Sequence, residues 1–405
     1  MTNANTIPEP MLTRHLVANG YFSTAPFALA DVGVSGGIHA CWQAFDKDIV
    51  VWGFDPLEGE IERLRASNPE KNHIYTAARV GCMSWNPDGR QTVIITDKND
   101  HCYDRLASSW AADILNASSI DRYDQSGRCE MVEHFIELDG FFLDDRGAAP
   151  NFIKTDTDQF DIDVLTGSKR LMQDKRVLGF SVECYFVGNI GPRANVFSNI
   201  DVLLRQMGFS LFDLEPIRYA RKSLPAPFLA PMPCQSAVGQ VTWAEAVYFR
   251  DLAHPDYERM WGIVPDNEEI LKLACLFEIY GLADCAADLL AKYTDRFDAG
   301  FVGECLDILT PPLAGKSIRH RDYLAAFEAY VSAGYDASLF PANFTQPGLL
   351  RQQVQDLKES LHLKDEIISS LQGILAVYEE RIERMQKRDA ERLRAELFEQ
   401  GLLKE

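Results

Sequence analysis

The chain has 405 residues, a formal net charge of -20, 46% hydrophobic and 25% charged residues. That is the balance of a globular protein with room for two or three domains of roughly 100–200 residues each. The excess of acid repels phosphate backbones and argues against nucleic acid as a partner, and the absence of any run of about 18 apolar residues argues against a membrane span.

Residues 1–24, beginning "MTNANTIPEP", hold no apolar leader segment and read as an N-terminal extension. Nine cysteines are scattered along the chain without a Cys-x-x-Cys pair. An odd number of isolated cysteines fits reduced thiols in the cytoplasm better than a disulfide framework or a zinc site. From 25 to 252, short runs rich in Val, Ile and Phe alternate with amphipathic stretches. "FALADVGVSGG", "IVVWGFDP", "TVIITD", "FIKTDT", "VLGFSVECYFV" and "FSLFDLEP" read as strands, and "EGEIERLRAS" and "IDVLLRQMG" as helices. The alternation predicts an α/β fold: a sheet with flanking helices.

The first strand ends at Asp31, and Gly33, Ser35, Gly36 and Gly37 form a turn of small residues. Such a turn lets a ligand approach the backbone closely. Asp55 ends the second strand, where a carboxylate can accept both hydroxyls of a ribose. The spacing fits NAD or S-adenosylmethionine. The glycines do not follow Gly-x-Gly-x-x-Gly, so the dinucleotide loses ground. His39 follows the turn, and a lone histidine there reads as structural.

"FIKTDTDQFDIDVLTGS" then places Asp156, Asp158, Asp161 and Asp163 within eight residues. Asp161 and Asp163 open a helix, whose first turn favours carboxylates through capping and the dipole. Asp156 lies at the carboxyl end of a strand, the position of ligand sites in open α/β sheets. Glu183 ends the next strand. Asp156, Asp158 and Glu183 are therefore the candidate catalytic acids, any one of which can serve as a base. Two converging acids can also hold magnesium, but no His or Cys set accompanies them and no metal is assigned. His101 and the trio Arg218, Tyr219 and Arg221 are weaker candidates for the border of an acceptor pocket.

From 253 to 340 the pattern is helical. In "PDNEEILKLACLFEIYG", Asp266 and Glu269 form a capping box, Ile270, Leu273, Ala274 and Phe277 share a face, and Gly281 ends the helix. Residues 341–349 are a linker rich in Pro, Asn and Gly. Residues 350–400 read as one long coiled-coil helix. Leu350, Val354, Leu357, Leu361, Ile368, Leu371, Leu375, Tyr378, Ile382 and Met385 mark a seam of about five heptads, interrupted by Lys364. A helix from 350 to 398 would be on the order of 70 Å long. The seam, 350–386, predicts a homo-oligomer, dimer or trimer.

Several of these segments together resemble the FkbM-type methyltransferases. "DVGVSGG" is similar to the family's Asp-Val-Gly-x-x-Gly-Gly turn, Asp55 in "GFDP" to its acid after strand two, and "KTDTDQFD" in part to its Lys-x-Asp-Thr-x-Gly-x-Glu segment. "VECYF", "GFSLFDL" and "WAEAVYFRD" match three later motifs. The resemblance covers about 25–252 and implies a Rossmann-like class I sheet, S-adenosylmethionine as cofactor and Asp31, Gly33, Ser35, Gly36, Gly37 and Asp55 around it. It further implies a hydroxyl acceptor on a glycan, sugar or small metabolite, and a glycan-building protein as possible partner. Gln159 replaces a glycine of the family, Asp158 a Glu or Gln, and Tyr185 a second acid. These departures fall on the acceptor side and leave a second class open, a methyltransferase-like scaffold without catalysis, assembled by the coiled coil.

Overall fold

The computed structural model describes residues 6–7, 9–68, 72–86, 91–95, 128–132, 134–157, 160–188, 190–219, 236, 238–313, 315–337 and 340. Asp158, Gln159, His101, Arg221, the linker and the heptad seam lie outside the described residues. One compact unit spans residues 1–344, and residues 345–405 form a second.

The strands in chain order are β1 (Phe27–Val32), β2 (Ile49–Asp55), β3 (His73–Ala77), β4 (Arg79–Val80), β5 (Gln91–Ile95), β6 (Arg128–Val132), β7 (Phe135–Ile136), β8 (Phe152–Thr155), β9 (Gly179–Tyr185), β10 (Ser210–Tyr219) and β11 (Gln240–Phe249). The helices are α1 (Met11–Ala18), α2 (Glu58–Ser67), α3 (Asp161–Thr166), α4 (Phe197–Gln206), α5 (Tyr257–Trp261), α6 (Asn267–Ile279), α7 (Ala283–Lys292), α8 (Ala299–Leu309) and α9 (His320–Ser332). Seven strands form the main sheet in the order β10-β11-β9-β8-β1-β2-β3. β3, β2, β1, β8 and β9 run parallel, and β11 runs antiparallel to both its neighbours.

The inner parallel strands β1, β2, β8 and β9 are largely buried on both faces, which is why they read as apolar runs, whereas the edge strand β3 is mostly half-buried or exposed. Alternation along each strand splits the core in two. Phe27, Leu29, Phe152, Val247 and Phe249 pack with Leu12 and Leu16 of α1 and with α6, α7 and α8. Ala30, Val32, Ile153, Phe180, Val182 and Tyr248 pack on the other face with Ile162, Val164 and Leu165 of α3 and Ile200 and Leu204 of α4. The helices after β11 and the N-terminal α1 thus share a core with the sheet. Glu278 of α6 fixes α1: its carboxylate accepts the backbone N–H groups of Leu12 (2.7 Å) and Thr13 (2.8 Å) and the Thr13 hydroxyl (2.8 Å). It satisfies donors that the first turn of a helix leaves unpaired.

Arg250, which follows β11, is fully buried. Its guanidinium donates to the carbonyls of Val177 (2.6 Å), Met172 (2.6 Å) and Asp174 (3.2 Å) and to the Tyr257 hydroxyl (3.0 Å). A planar fork of five donors suits such a convergence of carbonyls. The first four residues of the run "TVIITD" do lie in a strand, but outside the main sheet: β5 pairs antiparallel with β6 in a two-stranded ribbon. No helix among the described residues is long and apolar enough to cross a membrane.

Candidate active site

The parallel strands all end on one edge, and the turn after β1 lies there. Gly33, Gly36 and Gly37 have φ of 84°, 88° and 95°, which only glycine adopts at little cost. At Gly33 there is a further constraint: a Cβ would stand 1.9 Å from the backbone oxygen of Asp156. The ends of β1 and β8 therefore touch through a residue without a side chain. The Asp156 N–H donates to Val32 O (3.0 Å), and the Gly33 N–H to Phe54 O (2.8 Å), which ties in β2 as well.

Asp31 and Lys154 are in register on β1 and β8. The Lys154 ammonium lies 3.3 Å from Asp31 Oδ1 and 3.5 Å from Asp156 Oδ2. Asp31 is 1% exposed, whereas the Asp156 side chain is 33% exposed. Burial pushes the Asp31 pKa up, Lys154 pulls it back and the Asp156 charge pushes it up again. For Lys154, burial favours the neutral amine. The charges of Asp31, Asp156 and Glu245 outweigh it and hold the pKa above its ordinary value.

Asp55 ends β2 and is buried. Its Oδ1 accepts the Leu57 N–H at 2.9 Å, so it also shapes the turn into α2. Ser35 is exposed, and the neighbouring Gly36 N–H donates to Glu60 Oε1 at 2.7 Å. The structure thus brings Asp31, Gly33 and Asp156 into contact, with Asp55 on the adjoining strand end. Glu183 is one strand further along, on β9, and accepts the Tyr185 hydroxyl at 3.3 Å.

Asp161 and Asp163 do stand in the first turn of α3, but as buried, specifically paired groups and not as solvated caps. Asp163 meets the Arg79 guanidinium (3.1 Å) and the Cys82 N–H (3.0 Å). Asp161 accepts the Thr157 N–H (3.2 Å) and the Asn195 amide (2.9 Å). Burial, with the Asp156 charge beside it, pushes its pKa up to about 7.

Two functional candidates lie inside matched motifs that do not single them out. Lys154 is the first residue of "KTDTDQFD"; its place two residues before Asp156 on a strand was the available signal. Glu245 lies in "WAEAVYFRD" on β11, opposite Glu183 on one side and Glu215 of β10 on the other. Its pKa is pushed up to about 7, by burial first and by the Asp156 charge second. Nothing local in the sequence reveals that pairing. Among the described residues, no group of three or more His, Cys, Asp or Glu side chains is placed to hold a metal ion.

A mainly parallel sheet with one antiparallel strand inserted next to its edge, a glycine turn after the first strand and acids at the strand ends define a Rossmann-like methyltransferase fold. Residues 31–211 match the model of the methyltransferase FkbM domain family. The match takes in the glycine turn, Asp55, Asp156 and Glu183, and stops short of β11.

Among solved structures, the chain is similar to an FkbM methyltransferase from Methylobacillus flagellatus KT, at 12% identity and a TM-score of 0.29. The match covers 55% of this chain and 43% of that one, so the chain spans less than half of that protein. It is also similar to the magnesium protoporphyrin IX methyltransferase of Synechocystis PCC 6803 with bound SAH, at 10% identity and a TM-score of 0.27, over 59% of this chain and 80% of that one. A third likeness is to the 1,6-didemethyltoxoflavin-N1-methyltransferase of Burkholderia thailandensis, at 10% identity and a TM-score of 0.24, over 60% and 79%. Among curated proteins, none matches.

Proposed function

We propose that the chain is an S-adenosylmethionine-dependent methyltransferase that methylates a hydroxyl oxygen on a sugar, a glycan or a small hydroxylated metabolite. The observation that carries this reading is the contact of Asp31, Gly33, Lys154 and Asp156 at the ends of β1 and β8. The residues fit the cofactor. Open space lies over Gly36, where a Cβ would meet nothing within 4 Å. Asp31 and Asp55 are carboxylate acceptors on either side of the turn, suited to an ammonium and a ribose diol. Asp31, Gly33, Ser35, Gly36, Gly37 and Asp55 would hold it.

The cofactor supplies an electrophilic methyl group on a sulfonium. Transfer to a hydroxyl oxygen forms a C–O bond, breaks a C–S bond and releases the hydroxyl proton. We assign that proton to Asp156, a reading supported by its position at the carboxyl end of β8, its contact with Lys154 and its partly exposed side chain. A positioned base of this kind contributes ~10²–10⁴-fold. Glu183 and Glu245 are set further along the sheet, on the acceptor side. The seam 350–386 fits assembly of two or three chains, and a glycan-building protein is the partner that such a layout suits.

Calorimetric titration with S-adenosylmethionine and S-adenosylhomocysteine tests the reading. Micromolar binding of both is expected, weakened at least tenfold in Asp55→Ala, with thermal unfolding run alongside to check that the variant is folded. An intact chain that binds neither compound refutes the proposal.

A further inference from the structure

Lys154 lies between the two halves of the proposed site. It faces Asp31 in register across β1 and β8, and it precedes Asp156 by two residues. One ammonium is thus shared by a buried carboxylate beside the glycine turn, at 3.3 Å, and by a half-open one at the strand tip, at 3.5 Å.

The groups around this pair are mostly acids. Cys41, in the 3₁₀ stretch Ala40–Asp48, and Tyr280, just past α6, face Asp31, and each has its pKa raised by burial first. Neither supplies a cation. His39 is near Lys154, and its pKa is lowered by burial and by the lysine's charge. Glu245 faces Lys154 from β11, and its Oε2 is buried without a hydrogen-bond partner among the described residues. The cation set against Asp31 is therefore Lys154. A buried carboxylate that loses its partner takes up a proton.

We propose that Lys154 is a positioning residue that ties the Asp31 carboxylate on the cofactor side to the Asp156 carboxylate on the acceptor side, so that both halves of the site depend on one ammonium. This rests on the methyltransferase reading above. Without the ammonium, Asp31 is protonated over a wider range of pH and no longer accepts from a bound ammonium or hydroxyl. Asp156 in turn loses the contact that fixes its rotamer.

The test compares the full chain with Lys154→Met and Lys154→Arg, by calorimetry with S-adenosylhomocysteine from pH 5.5 to 8.5. The parent, in which Asp161 and Glu245 have pKa values of about 7, gives the reference profile. Lys154→Met is expected to bind at least tenfold more weakly than the parent at pH 6 and to approach it as pH rises and Asp31 ionises. Lys154→Arg is expected to restore the parent's profile. Without ligand, the stability gap between the parent and Lys154→Met is expected to widen from pH 4 to 8, as the buried Asp31 is ionised at a growing cost. A Lys154→Met profile that parallels the parent, or a gap that does not change with pH, overturns the role of the lysine alone. A parent that binds no S-adenosylhomocysteine overturns the cofactor reading and this coupling with it.

Discussion

Replacing Gly33 and Gly36 by alanine, one at a time, separates two reasons for a glycine. Both have a positive φ, 84° and 88°, and an L-residue there costs about 1–2 kcal/mol. Part of that is offset by ~0.4–1 kcal/mol from the stiffer unfolded chain. At Gly36 nothing lies within 4 Å of the added Cβ, so the net cost to stability is about 1 kcal/mol or less. At Gly33 the Cβ would be 1.9 Å from Asp156 O and 2.8 Å from Asp156 C. Those atoms are backbone, held by the Asp156 N–H to Val32 O bond at 3.0 Å. Relief of the clash pushes the end of β8 off β1, loses that bond and leaves its partners poorly satisfied, about 1–3 kcal/mol more. The expected total for Gly33→Ala is ~1–4 kcal/mol, the upper end a large share of the 5–15 kcal/mol that holds an ordinary domain. Denaturant unfolding of both variants measures the difference. Binding of S-adenosylhomocysteine is expected to reverse the order of specificity: Gly36→Ala, nearly neutral for stability, weakens it tenfold or more by filling the open space. Equal stability of the two variants within about 0.5 kcal/mol would refute the argument.

Two further outcomes follow from the buried charges. Arg250→Met removes the donor that the carbonyls of Val177, Met172 and Asp174 share, and it is expected to cost ~3–5 kcal/mol in denaturant unfolding. A loss below about 1 kcal/mol would contradict the assignment. Asp161 has its native pKa pushed up from 3.8 to about 7, so between those values the native state holds a proton that the unfolded state has lost. Stability therefore falls as pH rises through that window, by up to ~1.4 kcal/mol per pH unit from this group. Asp161→Asn is expected to flatten the slope between pH 4 and 7 whatever it does to the absolute value, and an unchanged slope in unfolding experiments would count against the burial argument.

Elements defined by their own residues were legible in the sequence. α2 falls on "EGEIERLRAS", and the capping box of α6 is present in both directions, Glu269 N–H to Asp266 (3.0 Å) and Asp266 N–H to Glu269 (2.8 Å). What local pattern cannot carry is partnership. "TVIITD" shows a strand but not that β6 is its mate. The short "HIYTA" of β3 gave little signal, and β11 is masked by burial on both faces. α6 shows one apolar face in sequence, yet its Glu269, Lys272 and Glu278 are buried too. Each has a partner from elsewhere: Lys175 for Glu269, Pro26 O for Lys272 and α1 for Glu278. The same limit applies in the site. Asp31, Gly33, Asp55 and Asp156 could be picked as strand-end residues. Lys154 and Glu245 become meaningful only when β1, β8, β9 and β11 are laid side by side.

The run of aspartates at 156–163 thus has no single cause. Asp163 belongs to a structural pair with Arg79, Asp161 is held by Asn195, and Asp156 stays partly open beside Lys154. Asp161 and Glu245 both have pKa values pushed to about 7, each with the Asp156 charge among the causes. A fold selected for stability alone has no need to gather three carboxylates around one ammonium, since apolar replacements of similar size are often as stable. Such conflicts between local and global preference are expected to collect where a protein binds or reacts. Here they collect at the carboxyl ends of β1, β8 and β9, on the edge that carries the glycine turn, whereas the opposite ends of β1 and β8 are filled by Phe27 and Phe152, and Phe249 of β11 pairs with the start of β9. The division of each strand into an apolar half and an acidic half is itself the reason to look for the chemistry at the acidic end.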